Sequence, residues 1–103
     1  MSIYDHTGLD EIIHGRLRLV VMAYLSTASP ASFLELRAQT KASDGNLSAQ
    51  LAKLEEAGYV AIHKRFQGKK PMTDVALTPQ GREAWIVYLD RLRALLPPGN
   101  GSV

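Results

Sequence analysis

The stretch from Ser43 to Val60 constrains this chain more than any other. It carries a helix start, an apolar stripe and a helix stop in unbroken order. Ser43 or Asp44 is placed to cap the first free N–H groups, and Asp44 puts an anion in the first turn, where the helix dipole favours one. Leu47, Leu51 and Leu54 fall on one face at a helical step of about 100° per residue. Gly58 supplies the left-handed residue that ends the helix. Gly45, Ala49, Ala52 and Lys53 point the other way, with Asn46, Ser48 and Gln50 on the flanks. A face meant only for water usually carries more Glu and Lys. Short side chains, amides and hydroxyls suit a surface that lies against base edges.

Alone, this segment reads as a solvated helix over a leucine core. The next stretch changes that reading. Tyr59 to Arg65 is strand-like, with Val60 and Ile62 on one face. Phe66 to Pro71 is turn-like and basic, with Gln67-Gly68 at its tip, and Met72 to Leu77 is strand-like again. Lys64, Arg65, Lys69 and Lys70 lie in this hairpin with no acid among them. Acids collect instead at Asp10 and Glu11 and at Glu55 and Glu56. The net charge of +2 is too small to argue from; its distribution says more. A helix followed at once by a basic-tipped hairpin is the order of a winged helix-turn-helix.

The upstream chain supplies the rest. Thr7 can cap a first helix with Asp10 and Glu11 in its first turn. Leu9, Ile12, Ile13, Leu17, Val20, Val21, Tyr24 and Leu25 form its stripe, which His14-Gly15 interrupts as a bend or a break. Leu19 to Leu25 is apolar almost all round. Such a helix lies at the centre of the domain, or a second chain covers its outer face. Ser29-Pro30 is a turn. Ser32-Phe33-Leu34-Glu35 matches a capping box and predicts a helix over Phe33 to Gln39. Thr40-Lys41-Ala42 then gives helix-turn-helix spacing. Downstream, Thr78-Pro79 opens a last helix that runs to about Leu96, where Pro97-Pro98 stops it.

These pieces predict a mostly α fold with a small β-hairpin, a winged helix-turn-helix in the order α-α-α-β-β-α. Residues 1–8 form an N-terminal arm, 9–96 one domain and 97–103 a loose tail, a division that suits 103 residues. A short extra strand near Ala31 is expected to pair with the hairpin. The expected core is Leu17, Val20, Leu34, Leu36, Leu47, Leu51, Leu54, Val60, Ile62 and Leu77.

Several function classes recede. There is no cysteine, which removes disulfides, thiolate zinc sites and thiol redox sensing, and fits a reducing cytoplasm. Met1 to Gly8 lacks a signal-peptide pattern, and the longest apolar run, Leu19 to Leu25, is far too short to span a membrane. Asp10 and His14, four apart with His6 nearby, have metal-like spacing, but no second cluster supports them, so neither metal nor cofactor is expected. Ser43, Asp44 and His63 form no recognisable triad. Gly68-Lys69-Lys70 lacks the upstream glycine and following Ser or Thr of a phosphate loop. Catalysis is not expected.

Together, Phe33-Leu34-Glu35-Leu36, Asp44-Gly45-Asn46-Leu47-Ser48, Leu51 through Val60 and Leu77-Thr78-Pro79-Gln80-Gly81-Arg82 resemble the small stand-alone winged-helix transcriptional regulators of the MarR and ArsR groups. The similarity covers roughly Leu9 to Leu95. It implies a recognition helix in the major groove of double-stranded DNA and a wing on the backbone or minor groove. By position, Asn46, Ser48, Gln50 and Lys53 would face DNA, with Ser43 at the helix start. Lys64 or Arg65, Lys69 and Lys70 would contact the backbone. Many relatives carry a basic residue or His where this chain has Gln50. The rival reading is a winged helix that binds protein, since fold does not fix function.

The resemblance also implies a homodimer joined by the first and last helices. The residues agree. Trp85, Tyr88, Leu89, Leu92, Leu95 and Leu96 make a stripe wider than one three-helix core needs, and Ile12, Ile13, Val21 and Tyr24 add to it. Apolar area of that size usually marks an interface. A two-fold dimer would set two recognition helices roughly 34 Å apart, one DNA turn.

Overall fold

The computed structural model describes residues 8–96. Its elements are α1 (Arg16–Leu25), β1 (Ala31–Ser32), α2 (Phe33–Thr40), α3 (Asp44–Glu56), β2 (Val60–Gln67), β3 (Lys70–Leu77) and α4 (Pro79–Arg93). The strands form one antiparallel sheet in the order β1-β3-β2. Four helices, a hairpin and the short strand at Ala31 make the winged helix that the sequence predicts. The expected Thr7 cap and the Pro97-Pro98 stop lie outside the described residues, as do His6, the tail and most of the arm.

Local chemistry sets the boundaries. Ser32, Ser43 and Thr78 each stand in extended backbone, and their hydroxyls accept the N–H groups of Glu35, Asn46 and Gly81. Satisfying a free N–H in this way fixes where each helix begins. Gly58, at φ +83°, ends the α3 segment, and Lys41, at φ 56°, ends α2. The break at His14-Gly15 is real: α1 begins only at Arg16. Before it, the Asp10 carboxylate accepts the N–H of Ile12 at 2.8 Å and of Ile13 at 3.3 Å, so Asp10 itself caps a short turn.

The core gathers Ile13, Val21, Met22, Leu25, Ala31, Leu36, Leu47, Leu51, Leu54, Val60, Val75 and Tyr88. Ile62 and Leu77 pack against it, half-buried. Three expected core residues are not in it: Leu17 is half-buried outside the cluster, and the other two are exposed. Val20 is 41% exposed and Leu34 is 47% exposed. In α1 the buried side chains are Val21, Met22 and Leu25, so Val20 turns outward. Leu34, in the first turn of α2, instead borders a shallow groove with Lys70, Pro71 and Met72.

The proposed dimer stripe divides in the same way. Ile13 and Val21 are fully buried and Tyr88 is 1% exposed, so these three are core and keep no surface for a partner. Ile13 is carried inward by the capped turn. Tyr88 lies under that turn, with His14 Nδ1 2.6 Å from its hydroxyl and Trp85 stacked on its ring. Ile12, Tyr24, Trp85, Leu89, Leu92 and Leu95 are half-buried, and Leu96 is exposed. Ile86 and Val87 also face outward, 54% and 48% exposed.

Candidate nucleic-acid interface

Helix α3 rests on Leu47, Leu51 and Leu54, which are buried. That leaves Asn46, Ser48, Ala49, Ala52 and Lys53 outward and exposed. Gly45 shares this side, and a Cβ there would meet nothing within 4 Å. The outer strip of the helix is therefore low, with polar groups along its flanks. Ser43 is exposed, and its hydroxyl accepts the Asn46 N–H at 3.1 Å. The Asp44 carboxylate is paired with Arg37 at 2.8 Å, which ties the start of α3 to α2 and neutralises an anion on this face.

Gln50 departs from the expectation that it faces DNA. It is half-buried, and its carbonyl oxygen accepts from the Arg18 guanidinium of α1. Its NH2 group donates to Asn46 Oδ1 at 3.2 Å. Gln50 is turned toward α1 because Arg18 is held there by the Ile12 carbonyl, 2.6 Å from its Nε. Arg18 and Arg37 were not legible as parts of this face. The signal for Arg18 was a cation at the edge of the apolar run that starts at Leu19.

The wing is longer than the sequence suggests. Phe66 and Pro71 are paired strand residues, as are Gln67 and Lys70, so only Gly68 and Lys69 form the turn. Gly68 has φ +65°, which glycine adopts without strain. Side chains alternate along a strand. Ile62 and Lys64 line a cavity of about 420 Å³ together with Phe33, Asp44, Ser48, Leu51 and Thr73. Lys64 and, by alternation, Phe66 thus belong to the sheet face that α3 also occupies. Phe66 is 72% exposed, a large apolar side chain among cations that sequence reading passed over as turn.

Arg65 falls on the opposite face. Its Nε lies 2.6 Å from Asp74 Oδ2, and that hydrogen bond, then the carboxylate charge, raises its pKa. Lys64, Lys69 and Lys70 are exposed. At the root of the wing, the Tyr59 hydroxyl donates to Asp10 Oδ2 at 2.5 Å. Burial, then this bond, pushes the Tyr59 pKa up to about 12. Asp10 and His14 are thus both engaged in structural bonds. Among the described residues no group of three potential ligands could hold a metal, and no helix is long and apolar enough to cross a membrane.

Comparison with known proteins agrees with this architecture. An uncharacterized protein of Methanocaldococcus jannaschii is 30% identical over 79 residues, covering 77% of this chain and 86% of that protein. A transcriptional regulator homologue from Pyrococcus horikoshii OT3 superposes with a TM-score of 0.78 at 28% identity, over 84% of this chain and 85% of that one. Overoxidized AbfR bound to DNA shares the fold, with a TM-score of 0.69 at 19% identity over 82% of this chain and 61% of that one. The sequence pattern of the winged helix DNA-binding domain matches residues 17–96, from within α1 to past the end of α4, and the chain therefore belongs to the winged helix DNA-binding domain family.

Proposed function

We propose that this chain is a sequence-specific transcriptional regulator that binds a palindromic site in double-stranded DNA as a homodimer. In this reading α3 enters the major groove with Asn46, Ser48 and Lys53 forward, and the wing lays Lys64, Lys69 and Lys70 along the backbone or minor groove. One observation carries it. The low outer strip of α3, which carries Lys53, and Lys64 of the wing lie on one side of the domain, with Lys64 and Ser48 lining the same cavity. A helix with accessible amide and hydroxyl groups can read bases, and cations beside it can neutralise phosphates. The regulator homologue from Pyrococcus horikoshii, similar over most of both chains, supports the regulatory part.

The dimer follows from the apolar surface left over. Val20, Ile86, Val87 and Leu96 are exposed, and Trp85, Leu89, Leu92 and Leu95 are only half-covered. A two-fold partner would bury this area from both sides. Gln50, held toward α1, is given no direct base contact.

Selection of bound sequences from a random duplex pool tests the reading. Enrichment of a palindrome, with affinity that falls steeply as salt rises, is expected. Failure to enrich any sequence, together with salt-independent binding, would overturn it in favour of a protein-binding module. Sedimentation equilibrium tests the dimer separately, since a monomer at micromolar concentration contradicts it. Ile86→Asp, at a position exposed in the single chain, should give folded monomers with weakened DNA binding.

A further inference from the structure

The Arg18 guanidinium is the fixed end of a run of contacts that finishes on the outer face of α3. Its Nε donates to the Ile12 carbonyl at 2.6 Å, and Nη2 reaches the Glu11 carbonyl at 3.5 Å. Its Nη1 donates to Gln50 Oε1. A guanidinium has donors only and stays charged at every working pH. The oxygen of Gln50 must therefore face Arg18, and its NH2 must face away. That NH2 donates to Asn46 Oδ1 at 3.2 Å, one turn back along the helix. The oxygen of Asn46 is thus drawn to Gln50, and its NH2, which can only donate, is left outward.

We infer that Arg18 and Gln50 are positioning residues that determine specificity: they hold Asn46 so that it reads an acceptor edge, guanine in preference to adenine. The usual paired contact of Asn with adenine needs the amide oxygen to accept from N6 while the NH2 donates to N7. Here the oxygen keeps a second lone pair but is turned toward Gln50 and away from the groove, so adenine keeps only the N7 contact. Guanine offers two acceptors, O6 and N7, to the same NH2. Gly15 belongs to the same arrangement, because a Cβ there would overlap the Arg18 guanidinium. The inference rests on the DNA-binding reading and names the base chemistry that goes with it.

Two substitutions test it without disturbing the core, because Gln50 is only half-buried. Gln50→Glu keeps an acceptor for Arg18 but has no NH2 to give. Asn46 must then turn its own NH2 toward the new carboxylate and show its oxygen to the groove. Gln50→Leu removes the link and frees the amide to rotate. The random-pool selection is run on all three proteins and on Asn46→Ala, with binding to random duplex as the control for added charge. The expected result is a guanine preference in the parent chain at the position Asn46 reads, assigned as the position whose preference Asn46→Ala abolishes. That preference should fall about ten-fold in Gln50→Leu. In Gln50→Glu it should move toward bases that present an amino group, adenine or cytosine. The same preferred base in all three proteins, or a parent preference for adenine there, overturns the inference while leaving DNA binding intact. If the parent chain binds no duplex even at low salt, the DNA-binding reading falls and the inference falls with it.

Discussion

Helix α3 and the wing each present an exposed surface, but on opposite foundations. The inner side of α3 is fully fixed: Leu47 and Leu54 are 0% exposed, Leu51 is 2%, and Ser43 caps the start. In the wing, every residue from His63 to Pro71 is exposed, and the ladder between β2 and β3 is the chief support. The difference matches two physical tasks. Reading hydrogen-bond patterns on base edges needs donors placed to a fraction of an ångström, which a packed helix provides. Following a phosphate backbone needs only charge within reach, and a solvated ribbon can adjust to it.

The largest expected effect tests the foundations themselves. Leu51→Ala should destabilise the fold by about 2–5 kcal/mol in denaturant unfolding, the usual range for a buried leucine. Phe66→Ala at the exposed end of the wing should stay within about 0.5 kcal/mol. Equal losses for the two would dissolve the contrast.

The next test separates the tasks by binding. Lys69→Ala combined with Lys70→Ala should weaken binding to all sequences alike. It should also reduce the slope of log affinity against log salt by about 2, roughly one for each phosphate contact. Asn46→Ala should leave that slope unchanged and cost ~1–3 kcal/mol on the preferred site alone. A sequence-dependent loss from the lysine pair would place base reading in the wing. Ser43→Ala, which frees the Asn46 N–H, should then cost about 1 kcal/mol of stability, and thermal unfolding would register it.

The smallest effect concerns the junction of the two regions. The folded state holds the Tyr59 proton up to about pH 12, whereas the ordinary phenol releases it near 10. A raised tyrosine pKa means that the neutral form is favoured in the folded chain. Its stabilisation is complete below pH 10 and is lost as pH rises toward 12. The difference in stability between the parent chain and Tyr59→Phe should therefore shrink across that window. A constant difference would show that burial and the bond to Asp10 do not raise the Tyr59 pKa.

The parts legible in the sequence were those encoded locally. Ser32 announces a helix start with Glu35, Ser43 with Asp44 and Thr78 with Pro79, and Gly58 announces a stop. The Leu47, Leu51 and Leu54 stripe has one apolar face and so one possible orientation. Leu19 to Leu25 has apolar residues on all sides, and there periodicity could not say that Met22 turns inward and Val20 outward. The wing was read short because Pro71 looks like a turn residue, although it pairs with Phe66 in the ladder. Gln50 was misplaced for another reason: its partner Arg18 is 32 positions away, and no local pattern carries that contact.

The sheet order β1-β3-β2 has one more consequence. It leaves β2 on the rim of the sheet, with backbone donors and acceptors that no neighbouring strand occupies among the described residues. Near its start the rim is partly shielded, because Glu55 accepts the Ile62 N–H at 3.2 Å. Farther out the ribbon is open, and an open strand edge invites a second molecule to add its own strand. Lys64 and Arg65 stand along that stretch, with Lys69 and Lys70 at its tip, and they repel a like-charged copy. The cations proposed to meet phosphate would thereby also guard the protein against aggregation.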